Sequence, residues 1–210
     1  MENQQTTGEI NMNPGAEEVL KARILPELER GRPSWDKPHT EAVVGYIKEI
    51  IKNNPQLNLD ADVLITAAYA HDWGYGGLFE AGRPVTMAEN TNQKEAHMRI
   101  GAKKIEELLN DSAFDYLSPY QKQRIIHLVA VHDDLDALKD PDELVLMEAD
   151  TLGVADVNAT TPTHSLDEYK QWLRKTEEKR VGHFITDYSK TKAHELLAER
   201  AEWYRMRHIS

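Results

Sequence analysis

Residues 65–80 read ITAAYAHDWGYGGLFE, and they join a run of apolar residues directly to a histidine and an aspartate. The run has the spacing of a buried helix, with His71 on the same face as Leu64 and Ala68. Asp72 follows at the point where glycines end the helix. A buried imidazole and a buried carboxylate need partners, because an unpaired buried charge is costly. The pair at this helix end therefore predicts a functional site.

The spacing of apolar residues is helical along nearly the whole chain, and no long stretch alternates with the period of a strand. The predicted helices cover residues 16–29, 38–52, 61–71, 93–109 and 119–132, a helix that begins at Asp140-Pro141, and residues 165–180 and 187–206, with a glycine-rich loop at 74–84. The pattern predicts an all-α, compact, single-domain bundle of about seven to eight helices. Residues 1–14 are polar and predict a flexible tail, which leaves residues 15–210 as the domain.

The composition narrows the classes of function. The chain has 210 residues, a formal net charge of −11 and no cysteine. The negative charge argues against nucleic-acid binding, which depends on Lys and Arg. No apolar run approaches the roughly 20 residues that span a bilayer and no signal peptide is recognisable, so we expect a cytoplasmic protein without membrane contact. Without cysteine, any metal must be bound by histidine and carboxylate ligands.

Two further predicted helices direct polar groups toward the core. His39 lies one turn before Val43 on the inward face of its helix, and Asp150 occupies an inward stripe within LVLMEADTLG. Together with His71 and Asp72, these residues supply two imidazoles and two carboxylates from three separate helices. Such a set predicts a metal site.

An ion-pair network is the alternative explanation for these buried polar groups. No lysine or arginine occurs within residues 64–73 or 144–154, which makes local ion pairing less attractive. Neutral imidazoles with carboxylates suit transition ions such as Mn²⁺, Fe²⁺, Ni²⁺, Co²⁺ or Zn²⁺ better than Ca²⁺. We therefore predict a divalent transition metal, one or two ions per chain.

The same residues resemble the H…HD…D signature of the HD-domain superfamily of metal-dependent phosphohydrolases. DKPHTEAVV around His39 is similar to the family's D-x-x-H-x-x-x-V, and AAYAHDWGYG is similar to its A-A-x-x-H-D-x-G. The resemblance covers about residues 16–206 and is completed by Asp150. It implies attack of metal-activated water on a phosphoester or phosphoanhydride, with His71 and Asp72 as catalytic residues. The implied substrate is a nucleotide or another small, anionic, phosphorylated metabolite.

Two more histidines lie on apolar helix faces. His97 shares a face with Ile105, and His132 shares a stripe with Leu128. In many HD proteins the histidines at matching positions bind a second metal or contact the substrate phosphate, so the resemblance implies one of these roles. His127 lies about 140° around the helix from His132 and faces elsewhere. The remaining histidines are expected at the surface: His164, His183, His194 and His208.

Phosphate binding requires cations near the predicted site. Arg83 and Lys94 are the first candidates, because the loop that follows the HD pair should border the cleft. Lys37, two residues before His39, is the third. Further candidates are Arg99, Lys103 and Lys104. For each of them a solvated surface charge is the simpler alternative.

The sequence departs from three better-defined branches of the superfamily. In stringent-response hydrolases the motif continues as H-D-x-x-E-D, whereas this chain has Tyr75 in place of the glutamate and Gly76 in place of the second aspartate. It also lacks the paired HH and the G-Y-P signature of cyclic-di-GMP phosphodiesterases. Some bacterial 5′-nucleotidases carry a glutamate where Tyr75 stands.

Two other functions stay open on the same residues. The order H…HD…H…H…D is also that of HD-type di-iron oxygenases, in which Asp72 would bridge the ions. A non-catalytic regulatory module that keeps a metal for structure is the third possibility. The substrate, the metal and the oligomeric state, a homodimer included, are left open.

Overall fold

Helices account for all the regular secondary structure in the described part of the chain. The computed structural model describes residues 10–32, 34–80, 85–162 and 165–207. Its α-helices are α1 (Pro14–Leu28), α2 (Asp36–Asn53), α3 (Ala61–Ala70), α4 (Met87–Asn92), α5 (Lys94–Leu108), α6 (Pro119–Val131), α7 (Pro141–Ala155), α8 (Leu166–Lys175) and α9 (Asp187–Arg207). A π-helical turn, Thr176–Arg180, continues α8. The predicted all-α fold is confirmed.

The sequence missed one of the nine α-helices found in these ranges, the short α4. Its N-terminus is a capping box, in which Thr86 and Glu89 bond reciprocally to each other's backbone N–H groups. The signal was visible as T-x-x-E, but the six-residue helix is too short to show an apolar period. The predicted glycine-rich loop begins with a 3₁₀ turn, Trp73–Tyr75, and its residues 81–84 lie outside the described ranges.

Helix α3 lies at the centre of the bundle. All of residues 63–70 are buried, and the helix packs against α1, α2, α5, α6 and α7. Asp60 caps it by accepting the N–H of Val63. A helix that is apolar on every side is stable only when it is surrounded by other elements. As a result, the residues that follow its C-terminus, His71 and Asp72, lie in the protein interior.

Two glycines allow backbones to approach closely beside the HD pair. A Cβ atom on Gly74 would lie 1.8 Å from the carbonyl oxygen of His97. A Cβ atom on Gly153 would lie 2.8 Å from Val43 Cγ2 and 3.1 Å from His39 Nδ1. Any larger residue would push α5 away from the turn after α3, or α7 away from α2. The glycines therefore determine how closely the helices that carry polar groups can converge.

The predicted flexible tail, residues 1–14, is mostly outside the described ranges. Of its last residues, Met12 is buried in the core and Asn13 caps α1 through its side-chain oxygen. Within the ranges that the structure describes, no helix combines the length and the apolar character that crossing a membrane requires.

The N-terminus of α7 is stabilised by a buried carboxylate. Glu143 accepts hydrogen bonds from the backbone N–H groups of Lys139, at 2.7 Å, and Asp140, at 2.9 Å. Its side chain also contacts His127 Nε2 at 2.7 Å and Arg124 at 3.1 Å. Burial alone would raise the pKa of Glu143, but these contacts outweigh it and lower the pKa from 4.5 to about 2.

We predict that Glu143→Gln lowers the free energy of unfolding by about 1–3 kcal/mol at neutral pH, because charge-assisted hydrogen bonds to the helix N-terminus are lost. A lowered native pKa stabilises the fold above pH 4.5, and this contribution disappears as pH falls toward 2. The difference between wild type and variant, measured by urea denaturation, should therefore shrink over that interval. Glu106→Gln, at an exposed position of α5, is the control. A difference independent of pH would contradict this explanation.

Candidate metal centre

Six buried donor residues from five helices converge beside the end of α3. Two follow α3 directly, one lies in the first turn of α2, one in the first turn of α5, one at the C-terminus of α6 and one inside α7. They are His71 and Asp72, His39, His97, His132 and Asp150. The most exposed of them is only 7% accessible to solvent. All the metal-ligand candidates from the sequence are thus brought to one place.

Four of these residues form a first donor set around His39. His39 Nε2 lies 3.1 Å from His71 Nε2, 3.1 Å from Asp150 Oδ1 and 3.6 Å from Asp72 Oδ2. His71 Nε2 lies 3.6 Å from the same Asp72 oxygen and 3.9 Å from Asp150 Oδ1. Ions bound at about 2.0–2.2 Å hold neighbouring ligand atoms roughly 3–3.6 Å apart. The ligand atoms of His39, His71 and Asp72 have nearly this spacing, and Asp150 joins them through His39.

The second donor set consists of Asp72, His97 and His132. Asp72 Oδ1 lies 3.6 Å from His97 Nε2 and 3.7 Å from His132 Nε2, and the two Nε2 atoms are 3.3 Å apart. Asp72 therefore presents one oxygen to each set, Oδ2 to the first and Oδ1 to the second. A carboxylate shared in this way can bridge two metal ions about 3.5–4 Å apart.

Backbone carbonyl groups fix the ring orientation of three of the four histidines. In each of the three, Nδ1 donates its proton to a carbonyl oxygen three or four residues earlier, which leaves Nε2 as an unprotonated acceptor. The distances are 2.7 Å for His71, 2.9 Å for His132 and 3.2 Å for His97. His39 differs, because its Nδ1 is buried without a described partner. Its Nε2 can therefore donate to Asp150 when no ion is bound.

The paired Nε2 atoms of the second donor set require a cation between them. His97 and His132 direct lone pairs at each other over 3.3 Å, which is repulsive unless a proton or a metal ion lies between. Burial lowers the pKa of His97, and that of His71, to about 4. Burial acts in the same direction on His132, but Asp72 and Asp133 outweigh it and raise its pKa. The set thus favours one shared cation, and neutral imidazoles are the form that binds metal.

Two arginines that were not predicted from the sequence form ion pairs with the carboxylates of the site. Arg32 Nη2 lies 2.7 Å from Asp72 Oδ2, and Arg32 Nε lies 2.5 Å from Asp36 Oδ1. Arg180 contacts Asp150 through Nη2 and lies 2.8 Å from Asp133 Oδ1 through Nη1. Burial opposes ionisation of both metal-site carboxylates, but Arg32 and His71 lower the pKa of Asp72, and Arg180 and His39 lower that of Asp150.

Residues 64–73 and 144–154 contain no lysine or arginine, but ion pairs form all the same with cations from other segments. Arg32 precedes α2, and Arg180 ends the π-helical turn after α8. Ion pairs now explain why the carboxylates can be buried. They do not explain why the Nε2 atoms of His97 and His132 face each other, an arrangement that a proton or a metal ion between them would stabilise.

Among the predicted phosphate-binding cations, only some can be placed beside the donor sets. Lys94 Nζ lies 3.4 Å from Asp133 Oδ2, and 39% of its side chain is exposed. The ammonium group of Lys37 pairs with Glu29 at 2.5 Å, and no described contact joins it to the donor sets. Arg83 lies outside the described residues.

The other candidates have structural or surface positions. Lys104 contacts Glu27 at 2.8 Å and lies over the Trp73 ring, while Lys103 and Arg99 are exposed. Tyr75 stacks between His97 and the Arg32 guanidinium, at 4.1 and 4.2 Å. The half-exposed His127 contacts Glu143 and points away from the donor sets, as predicted. His183 and His194 are exposed, as expected, and His164 and His208 lie outside the described residues.

Comparison with known proteins agrees with this geometry. The family model for the HD domain matches residues 38–155, which is more than half of the chain and includes all six donor residues. Neither the curated proteins nor the solved structures gave a match to this chain. Arg32 and Arg180 lie on either side of the matched segment. The chain therefore belongs to the HD-domain family.

Proposed function

We propose that this protein is a metal-dependent phosphohydrolase that cleaves a phosphoester or phosphoanhydride bond in a nucleotide or another small phosphorylated metabolite. The observation that carries the proposal is the position of Asp72, which faces one donor set with each carboxylate oxygen. Membership of the HD-domain family supports a metal-dependent hydrolase, since the family resemblance implies that chemistry.

The donor sets fit one or two divalent transition ions. The first offers two imidazoles and two carboxylates, and the second offers two imidazoles and the shared Asp72. Such ions lower the pKa of water and polarise phosphoryl oxygens. His71 and His132 are held by backbone carbonyls, so their Nε2 atoms are already directed inward before an ion binds. The same ligand types suit Mn, Fe, Co, Ni or Zn.

Local charge explains how a chain with a net charge of −11 can accept an anionic substrate. Among the described residues, those close to the donor sets include four carboxylates, of Asp36, Asp72, Asp133 and Asp150, and three cations, of Arg32, Arg180 and Lys94. One divalent ion is enough to reverse the excess of negative charge, and a second increases the positive potential. The site then attracts a phosphoryl group despite the field of the rest of the chain.

Individual side chains have distinct proposed roles. Asp72 acts as a metal ligand and stays ionised at neutral pH, because Arg32 and His71 outweigh the effect of burial on its pKa. Lys94 is partly exposed and reaches the donor sets through Asp133, so it is placed to meet an entering phosphate. Arg83 is proposed for the same task from the sequence alone.

A second candidate, an HD-type di-iron oxygenase, is favoured by one specific observation. Asp72 is shared between two groups of histidines, as the resemblance to such enzymes implies. Oxygen consumption by the iron-loaded protein, without phosphate release from a substrate panel, would support the oxygenase. Phosphate release with Mn²⁺, Fe²⁺, Co²⁺ or Ni²⁺ would support the hydrolase, and neither activity would favour the regulatory module.

Replacing Asp72 with Ala should remove bound metal and phosphohydrolase activity together, because both donor sets use this carboxylate. Elemental analysis, phosphate release from a panel of nucleotides and phosphoesters, and circular dichroism measure the three properties. Asp115→Ala, at an exposed position, is the control and should behave as wild type. A folded Asp72→Ala protein that hydrolyses the same substrate at the wild-type rate would refute the proposal.

His97→Ala and His132→Ala should each reduce saturating metal content from two ions toward one, since the second donor set would lose one of its three ligands. His127→Ala is the matched control, because its side chain contacts Glu143 and not the donor sets. The measurement is equilibrium dialysis with Mn²⁺ followed by elemental analysis. Full metal content with weakened phosphate binding in both variants would instead make these histidines substrate contacts in a mononuclear site.

Lys94→Ala should lower kcat/KM by roughly one to two decades, equivalent to the loss of about 1.5–3 kcal/mol of charge-assisted contact with phosphate. Metal content should be unchanged. Lys103→Ala is the control, because this lysine is on the same helix with a side chain that is 77% exposed. Arg83→Ala tests the same role at a position predicted from the sequence. Identical kinetics for Lys94→Ala and Lys103→Ala would show that Lys94 is an ordinary surface charge.

A further inference from the structure

The two arginines that flank the family match have no assigned role, although each contacts a proposed metal ligand. We propose that Arg32 and Arg180 are positioning residues that act on different donor sets. Arg32 orients Asp72 and thereby both donor sets, whereas Arg180 orients Asp150 and thereby mainly the first. This inference rests on the metal site of the proposed function, but it does not depend on the reaction that the site catalyses.

Arg32 is committed to positioning by its contacts. Its Nε lies 2.5 Å from Asp36 Oδ1, its Nη2 2.7 Å from Asp72 Oδ2 and its Nη1 3.2 Å from Asn90 Oδ1. The face of the guanidinium lies 4.2 Å from the centre of the Tyr75 ring. Because Asp36 is completely buried, it gives the guanidinium a fixed support at the start of α2. With both edges and one face occupied, Arg32 can hold the Asp72 carboxylate in a single orientation.

Arg180, in the C-terminal part of the chain, is also held by several contacts while it binds Asp150. Its three nitrogens contact Asp150 Oδ2, Asp133 Oδ1 and Thr151 Oγ1, the last two at 2.8 Å. The residue is the last of the π-helical turn Thr176–Arg180. Such turns are rare and occur often at functional sites. Here the turn packs on α7, the helix that carries Asp150.

The two contacts differ in which metal ligands they affect. Arg180 binds the outer oxygen of Asp150, so that Oδ1 points at His39 Nε2, 3.1 Å away. No described hydrogen bond or ion pair joins Asp150 to His97 or His132, and the only link from Arg180 toward the second set in the described residues is its ion pair with Asp133, the residue after His132. Asp72, in contrast, serves the first set through Oδ2 and the second through Oδ1, so a change in its rotation affects both. Loss of each arginine should therefore leave a different pattern of metal binding.

The test is calorimetric titration of the full-length protein with Co²⁺. Arg180→Ala should weaken binding to the first donor set about 10–100-fold, the usual cost of losing a residue that orients a ligand. Binding to the second set should weaken much less, because Arg180 contacts none of its three ligands. Arg32→Lys keeps the positive charge but loses the planar guanidinium that bonds to several partners at once, so it should weaken both classes of site. Arg174→Ala, at an exposed position of α8, is the matched control. His97→Ala disables the second set, so the double variant with Arg180→Ala assigns the affected class.

The outcomes separate this inference from the function on which it rests. Wild-type Co²⁺ affinities in both Arg180→Ala and Arg32→Lys would overturn the inference while leaving the metal site intact. Equal weakening of both classes by Arg180→Ala, with a fall in melting temperature, would show a merely structural role and would also overturn it. A wild-type protein that binds no Co²⁺ would refute the metal site itself. If Arg32→Lys fails to fold, the class-selective effect of Arg180→Ala still decides.

Discussion

The contact of one carboxylate with two groups of histidines is the constraint on which this structure depends. Asp72 can occupy that position only because α3 is buried on all sides and ends inside the bundle. The end of α3 leaves Asp72 beside α2 on one side and beside α5 and α6 on the other. Gly74 then lets α5 approach closely enough for His97 to reach the second oxygen. The position of the shared ligand is thus a consequence of core packing.

Burying this cluster would be unfavourable without opposite charge. Arg32 and Arg180 supply part of this positive charge, because each forms an ion pair with one of the buried aspartates. The histidines need a different partner. Backbone carbonyl oxygens accept hydrogen bonds from Nδ1 of His71, His97 and His132. Their Nε2 atoms are left to face one another, and divalent ions would satisfy them. The site is therefore both an ion-pair network and a metal-ligand set.

The helical periodicity of the sequence predicts the all-α fold and which polar residues face inward, and the resemblance to the HD signature adds which of them belong to one site. The apolar stripes of α2, α3, α5, α6 and α7 are local patterns, and each donor lies on one of these stripes or at its end. The arginines could not be found in the same way. Arg180 reaches Asp150 from 30 residues away, and a contact of that range leaves no local spacing to recognise. Arg32 stands four residues before Asp36, a spacing that in hindsight indicates pairing.

The central claim is that Asp72 bridges two ions, and the most direct test is a crystal structure of the protein grown with Mn²⁺, with an anomalous difference map. We expect two peaks about 3.5–4 Å apart, one near each oxygen of Asp72. One should be surrounded by His39, His71 and Asp150, and the other by His97 and His132. Fewer than two anomalous peaks beside Asp72, in an ordered donor cluster at saturating Mn²⁺, would contradict it.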